Sequence, residues 1–339
     1  MAIATSYNVT STKGARENLE NVLKTVEPTE TPLYSTLSQS AAPKATLNEW
    51  LVDSLASPEI GGVIDGVDLT ISDAQNLIDT RARIGNRVQT VRDIFSVSRQ
   101  AEMVDVAPGG SLMASSRAKS LLQLKRSIET AIGSGNDQSA GTSSAGALMC
   151  GLGIWSDPTA TGNTFDTSLK QGFRAVSGSR VSLSSLTESA FRGLLQAVYT
   201  AAGSKGTYNL FAGPAVMNKI TDYTRSTTAN GNFSFDQDVS GKTLVRSVLT
   251  YVSDYSTINI IPDLFLGRVN GSASGTDTVE GTVNTDRAYL IPGDDTVSLK
   301  FLEGITIQDL PDNGAGKRAF SEAMLSLRVS NPRALGSII

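Results

Sequence analysis

The chain has 339 residues, more than one compact core ordinarily organises, so two lobes or one lobe with long extensions are expected. Hydrophobic residues make up 40% and charged residues 18%, a balance that excludes a wholly disordered chain. Lys plus Arg total 29 against 33 for Asp plus Glu, a net charge of -4, which argues against a dense phosphate-gripping surface but not against one that faces DNA.

Histidine is absent, which removes the commonest general acid/base, the Ser-His-Asp and Cys-His arrangements and the imidazole metal sites. Cys150 is the lone cysteine, so no disulfide forms within the chain and a reducing, intracellular folding environment is expected. The opening residues 1–7 lack the basic and apolar regions of a signal peptide. No run approaches the roughly 20 apolar residues of a membrane span. The sequons at Asn8, Asn232 and Asn270 therefore carry no weight.

Residues 1–45 read as an arm. Leu19, Val22, Leu23 and Val26 lie on one face of a short helix that ends before Pro28, and Pro28 to Pro32 should follow an extended path. Residues 45–100 carry a split charge pattern. From 45 to 79 the charged residues are Glu49, Asp53, Glu59, Asp65, Asp68, Asp73 and Asp79. From 80 to 100 they are Arg81, Arg83, Arg87, Arg92 and Arg99 with one acid, Asp93. Gly61-Gly62 and Gly66 mark turns, and Val88, Val91, Ile94, Phe95 and Val97 give the second half β-type composition. A long hairpin with an acidic and a basic arm fits. It either lies on a partner or forms a solvated ribbon whose arms complement each other.

A helix is expected from Ser111 as N-cap to Gly133, with Ala114, Ala118, Leu121, Leu124, Ile128, Ala131 and Ile132 as its apolar stripe and Arg117, Lys119, Lys125, Arg126 and Glu129 mostly off it. Residues 133–147 are a low-complexity loop. An α/β lobe should follow: a helix over 187–202 through Phe191, Leu194, Leu195 and Val198, a strand over 208–212, a helix from Pro214, and strands near 244–253 and 258–261. Residues 267–284 are Gly-, Ser- and Thr-rich, the composition of an exposed loop. Alternation at Val297, Leu299 and Phe301, and again at Ala323, Leu325, Leu327 and Val329, predicts two long antiparallel strands returning to the lobe of the long helix.

The motifs that tempt a chemical reading all have simpler ones. Gly241-Lys242-Thr243 lacks the first glycine of a phosphate loop, because position 236 is Asp236, so it reads as a surface turn. Gly151-Leu-Gly153 lacks the third glycine of a dinucleotide loop and reads as a packed turn leading to Trp155. Asp294-Asp295 sits in a turn entering a strand, where neighbours point to opposite faces. Cys150 reads as a buried, inert thiol. No catalytic, cofactor-binding or metal-binding residue is assigned, and no enzyme activity is expected.

The order of elements, arm, long hairpin, long helix, inserted α/β lobe and returning strands, resembles the HK97-type fold, an α+β architecture of tailed-bacteriophage and related shell proteins. Within that group the chain is similar to one family of phage major head (major capsid) proteins. The local stretches that carry this are Thr31-Pro-Leu-Tyr-Ser-Thr-Leu37; Trp50 with Asp53 and Leu55; Arg83-Ile-Gly-Asn-Arg-Val-Gln89 running to Val97-Ser98; and Leu124-Lys-Arg-Ser-Ile-Glu-Thr-Ala-Ile132. Gly151-Leu-Gly-Ile-Trp155, Phe211-Ala-Gly-Pro-Ala-Val-Met-Asn-Lys219, Tyr251-Val-Ser-Asp254 and Val329-Ser-Asn-Pro-Arg333 continue it. Their order and spread carry the likeness.

The resemblance implies an N-terminal arm (1–45), an extended E-loop (46–98), a P-domain (99–180) with its spine helix over 111–132, an A-domain (181–295) and P-domain return strands (296–339). It implies a homo-oligomer of hexamers and pentamers closing an icosahedral virion shell around double-stranded DNA, assembled in the host cytoplasm without a membrane. It leaves room for portal, scaffolding and decoration or cement proteins as partners. Arg81, Arg83, Arg87 and Arg92 with Asp53, Glu59, Asp65 and Asp68 are then the candidate contacts between subunits. A related reading is an encapsulin-type cargo shell. A reading of another class is a histidine-free carboxylate hydrolase, marked by two inward carboxylates beside a pocket.

Some shells of this fold are locked by isopeptide bonds from an E-loop lysine. Here no lysine lies between Lys44 and Lys119, and a guanidinium stays protonated at any workable pH, so the E-loop lacks the nucleophile. Particles boiled in SDS without reductant should therefore run as a single monomer band. A ladder of covalent multimers would show that a lysine outside residues 46–98 reaches a neighbour.

Overall fold

The computed structural model describes residues 28–55, 58, 60–62, 64–66, 68, 81–104, 110–203, 206–222, 236–237, 244–245, 249–266, 286–311 and 316–339. The arm helix expected near Leu19, the turn at Gly241-Lys242-Thr243 and the loop 267–284 lie outside them. In chain order the elements are α1 (Pro32–Thr36), β1 (Ser38–Ser40), β2 (Leu47–Val52), β3 (Ala82–Arg87), β4 (Gln89–Ser98), α2 (Arg99–Met103) and α3 (Leu112–Ile132). Next come α4 (Leu152–Trp155), α5 (Ser168–Gln171), β5 (Arg180–Val181), α6 (Glu188–Ala202), β6 (Thr207–Ala212), α7 (Pro214–Asp222), β7 (Asp236–Gln237) and β8 (Leu244–Val245). The chain closes with β9 (Thr250–Val252), β10 (Thr257–Pro262), β11 (Ala288–Pro292), β12 (Val297–Leu310), β13 (Gly316–Val329) and β14 (Gly336–Ile338).

The long helix forms where its caps predict. Ser111 Oγ accepts the Ala114 N–H at 3.3 Å, and the helix stops at Gly133 in right-handed backbone, so left-handed freedom is not what ends it. At 1.5 Å rise per residue it spans roughly 30 Å. Its buried face runs through Met113, Ser120, Leu124, Ile128, Glu129 and Ile132, while Ala114 and Ala118 are exposed. The expected stripe is thus rotated. Two alanines add little burial, whereas Ser120 and Glu129 go inside because each finds a polar partner there.

Against that face lies a four-stranded sheet in the order β1-β12-β13-β4. The two 14-residue return strands pair antiparallel from Val297↔Val329 to Leu310↔Arg318, with irregularities near Glu303. The inner row of β13, Ala319, Ser321, Ala323, Leu325, Leu327 and Val329, is fully buried. Leu124, Ile128 and Ile132 share one core cluster with Leu325, Leu327 and Val329. Each such side chain contributes about 1.5–3 kcal/mol on leaving water. Ser120 and Ser321 satisfy each other across the interface at 2.6 Å.

Two further features, both near the start of the described chain, differ from expectation. Pro32 opens a helical turn rather than prolonging an extended path, a position where its missing N–H costs nothing. The hairpin is also shorter than residues 46–98. β2 and β3 pair antiparallel from Leu47↔Arg87 to Val52↔Ala82, but β4 leaves at Val88 and pairs with β13 over ten residues. Val88 is buried and donates its N–H to Thr46 O at 2.8 Å, which fixes the corner.

The corner is pinned by one amide. Fully buried Asn86 donates from Nδ2 to the carbonyls of Cys150 (3.0 Å) and Leu327 (2.8 Å), and its Oδ1 accepts from Cys150 N–H at 2.7 Å. Trp155 Nε1 also donates to Cys150 O at 3.3 Å, and the Trp50 ring packs on Trp155 with centroids 5.8 Å apart. The ribbon base, the Cys150 turn and β13 thus meet at one point.

The second sheet has six strands, β5-β14-β11-β6-β10-β9. β6 and β10 are parallel, β11 is antiparallel to β6, and the core includes Phe191, Leu194, Leu195 and Val198 of α6 with Val216 and Ile220 of α7. α6 starts at the Thr187 cap and ends at Gly203, whose φ of 65° is the left-handed stop. The strand expected over 244–253 is described as two pieces, β8 and β9. The last strand, β14, also joins this sheet, although residues 296–339 were expected to return wholly to the other lobe. Gly336 permits it, since a Cβ there would lie 2.9 Å from Leu194 Cδ2.

Asn86→Ala would leave the Cys150 N–H and the Leu327 carbonyl buried without this partner. Each unsatisfied group costs about 1–3 kcal/mol, so urea unfolding of the unassembled chain should shift by at least about 2 kcal/mol. An unchanged midpoint would mean the three segments hold together without the amide.

Candidate assembly surface

The β2–β3 ribbon brings several predicted site residues together within the chain. Arg81 Nε meets Asp53 Oδ2 at 2.9 Å, and Arg83 Nε meets Glu49 Oε1 at 3.2 Å. Both pairs are largely exposed, where such contacts contribute at most about 1 kcal/mol. Arg92 lies on β4, binds Glu322 of β13 in register and stacks 4.9 Å from the Phe320 centroid. Arg87 has no ion-pair partner among the described residues. Asp65 and Asp68 are exposed, and Glu59 lies outside the described residues. The ribbon is therefore in part self-complementary.

Charge alone misses the ribbon's outer end. Every described residue from 55 to 68 is exposed, including Leu55 (96%), Ile60 (102%) and Ile64 (76%). Leu51 on β2 adds to this row at 67%. Apolar side chains gathered on one uncovered segment mark a contact surface more often than a free monomer surface. The signal was present in the sequence as Leu55, Ile60 and Ile64 set among acids and glycines.

The chemical alternatives find no room. Gly151 sits where a Cβ would lie 2.3 Å from Ser134 O, so its glycine serves close packing. Asp294 Oδ1 accepts the Thr296 N–H at 3.0 Å, closing the turn into β12. Burial pushes the Cys150 thiol up, away from the reactive thiolate. Among the described residues, no group of three or more Cys, Asp or Glu side chains could hold a metal ion, and no helix is long and apolar enough to cross a membrane.

One pair of inward carboxyls does exist, Glu129 on α3 and Asp263 after β10, both buried. Burial, and then the Asp263 charge beside it, pushes Glu129 up to about 9, and burial raises Asp263 as well. Sequence reasoning missed this pair. A hydrolase needs such carboxyls beside a substrate pocket. Here Glu129 Oε1 accepts the Leu33 N–H at 2.6 Å and Oε2 the Tyr34 N–H at 2.7 Å, so both oxygens are committed to backbone. Cavities of about 370 and 360 Å³ open elsewhere, around Glu102, Met113 and Lys317, and neither is lined by Glu129 or Asp263.

Solved structures that superpose on the chain include phage capsids. The capsid of cyanophage A-1(L) superposes with a TM-score of 0.68 at 14% identity, covering 96% of each chain. The capsid of an empty GTA particle gives 0.59 at 11% identity, covering 96% of this chain and 94% of that one. The mature capsid of bacteriophage PhiM1 gives 0.58 at 11%, covering 96% and 91%. No curated protein matches in sequence. These likenesses bear out the HK97-type α+β fold. The family model of the SU10 major capsid protein matches residues 4–339, and the chain therefore belongs to that family: it is a structural subunit of a phage capsid, assembled from repeated copies, and not an enzyme.

Proposed function

We propose that this chain forms hexamers and pentamers of an icosahedral shell around double-stranded DNA, with the exposed end of the β2–β3 ribbon completed by a neighbouring copy. The observation that carries this is the run of exposed apolar side chains at Leu51, Leu55, Ile60 and Ile64, the last three on a stretch whose described residues from 55 to 68 are all exposed. Within that reading, residues 1–45 act as an arm and 46–98 as the E-loop, of which β4 is the part fixed to the P-domain. The P-domain is residues 99–180, built on α3, together with the return strands from 296. The A-domain is 181–295, supplemented by β14. A net charge of -4 suits a shell that faces DNA without gripping it. Portal, scaffolding and decoration proteins are natural further partners of such a shell.

In-chain pairing changes what the candidate contacts can contribute. Arg81, Arg83 and Arg92 already have acids in their own chain, so Arg87, Asp65 and Asp68 are the members most available to a neighbour. Repetition of a weak contact across many copies multiplies its effect on assembly.

Changing Leu55, Ile60 and Ile64 together to Ser should leave the unfolding free energy of the subunit within about 0.5 kcal/mol, the usual range for surface sites. The same variant should lose most closed particles by negative-stain microscopy. Normal particle yield would remove the ribbon end from the contact. The pair Arg83→Glu and Arg87→Glu should likewise give a folded subunit, by circular dichroism, with few closed particles. Loss of fold in that variant would show that the arginines serve the ribbon itself.

A further inference from the structure

We propose that Lys300, Arg328, Ser326 and Asn48 form a binding site for a small inorganic oxyanion, phosphate or sulfate, where the base of the ribbon meets the return strands. Lys300 of β12 and Ser326 of β13 are paired directly across the strands, and Arg328 lies two residues further along β13. Alternation puts these three side chains on one face of the sheet, opposite the row of Leu325, Leu327 and Val329 that packs with α3. Asn48 of β2 reaches the same place, where its Oδ1 accepts from Lys300 Nζ at 3.4 Å.

The cluster holds donors without acceptors to match. Ser326 is 0% exposed, yet its Oγ has no hydrogen-bond partner among the described residues. The Nδ2 atom of Asn48 is also shut off from solvent and has no partner among them. Buried polar groups are costly when unpaired, so a pair of orphans beside one lysine marks a place where something binds. The neighbouring hydroxyls of Ser40 and Ser298 satisfy each other at 3.2 Å, so the shortfall does not extend to them.

The cluster also holds positive charge without a counterion. Neither Lys300 nor Arg328 has a carboxylate partner among the described residues, whereas Arg81, Arg83 and Arg92 each have one. Partial burial, and then the Arg328 charge beside it, lowers the Lys300 ammonium. A bound water would satisfy a hydroxyl and an amide but would leave the two cations repelling each other. An anion relieves both deficits at once. Four donor groups from three strands outnumber the two oxygens of a carboxylate and suit the oxygens of a tetrahedral anion. So placed, the anion ties β2 to β12 and β13.

Titration of the unassembled full chain with inorganic phosphate, at an ionic strength held constant with chloride, tests the site without depending on shell formation. The thermal midpoint should rise and then level off as the site fills, and sulfate should reproduce the effect. Lys300→Met combined with Arg328→Met should lose the saturable part of the rise. Ser326→Ala removes a hydroxyl that has no partner in the chain, so without phosphate it should be at least as stable as the parent. With phosphate it should bind about tenfold more weakly, having lost one hydrogen bond to a charged ligand. A rise in the parent that grows steadily without levelling is general solvent exclusion and would overturn the site. Equal phosphate affinity in Ser326→Ala and the parent would do the same. If the double variant fails to fold, those two titrations decide.

Discussion

The apolar contact between one face of α3 and the inner row of β13 fixes the place of nearly everything else. Leu124, Ile128 and Ile132 meet Leu325, Leu327 and Val329 in one fully buried cluster. That contact joins residues two hundred positions apart and can form after the return strands exist. Each further element attaches to it at a specific polar point. Asn86 brings in the ribbon base, Glu129 brings in α1, and Ser120 with Ser321 closes the helix on the strand. Apolar burial supplies most of the stabilisation here. The buried polar contacts set register and direction, because each is costly if its partner is misplaced.

A subunit built this way has a stable interior and an incomplete surface. The ribbon's ion pairs are exposed and weak, and its outer end carries apolar side chains with no cover. Such a segment gains little in an isolated chain and much beside a second copy. Association of many copies can therefore proceed through modest contacts, each reversible, which lets misplaced subunits leave before the shell closes.

Much of this was legible in the sequence because local chemistry and tertiary need agree there. Ser111, Thr187 and Pro214 mark helix starts that form as read, and the alternation at Leu325, Leu327 and Val329 reports a strand with one buried face. The readings that shifted are those that long-range contacts decide. Glu129 reads as a surface residue on a helix because its partners, Leu33, Tyr34 and Asp263, are distant and two of them act through backbone or burial. Residues 82–98 read as one arm of a hairpin because composition does not change at Val88, where burial and a single N–H bond to Thr46 turn the chain into another sheet. β14 was misplaced for the same reason, since Gly336 is informative only once Leu194 and Leu290 are known to face it. The charge split set acids and arginines side by side, and the structure pairs Arg81 with Asp53 and Arg83 with Glu49 on the ribbon and Arg92 of β4 with Glu322 of β13.

The central claim is that the ribbon's apolar end is a surface completed by another copy of the chain. Electron cryomicroscopy of particles assembled from the purified chain tests it most directly. The account predicts closed shells in which side chains of a neighbouring subunit lie within van der Waals contact of Leu55, Ile60 and Ile64. Shells in which those residues face open solvent, or a preparation that holds uniform single subunits and no assembled forms, would contradict it.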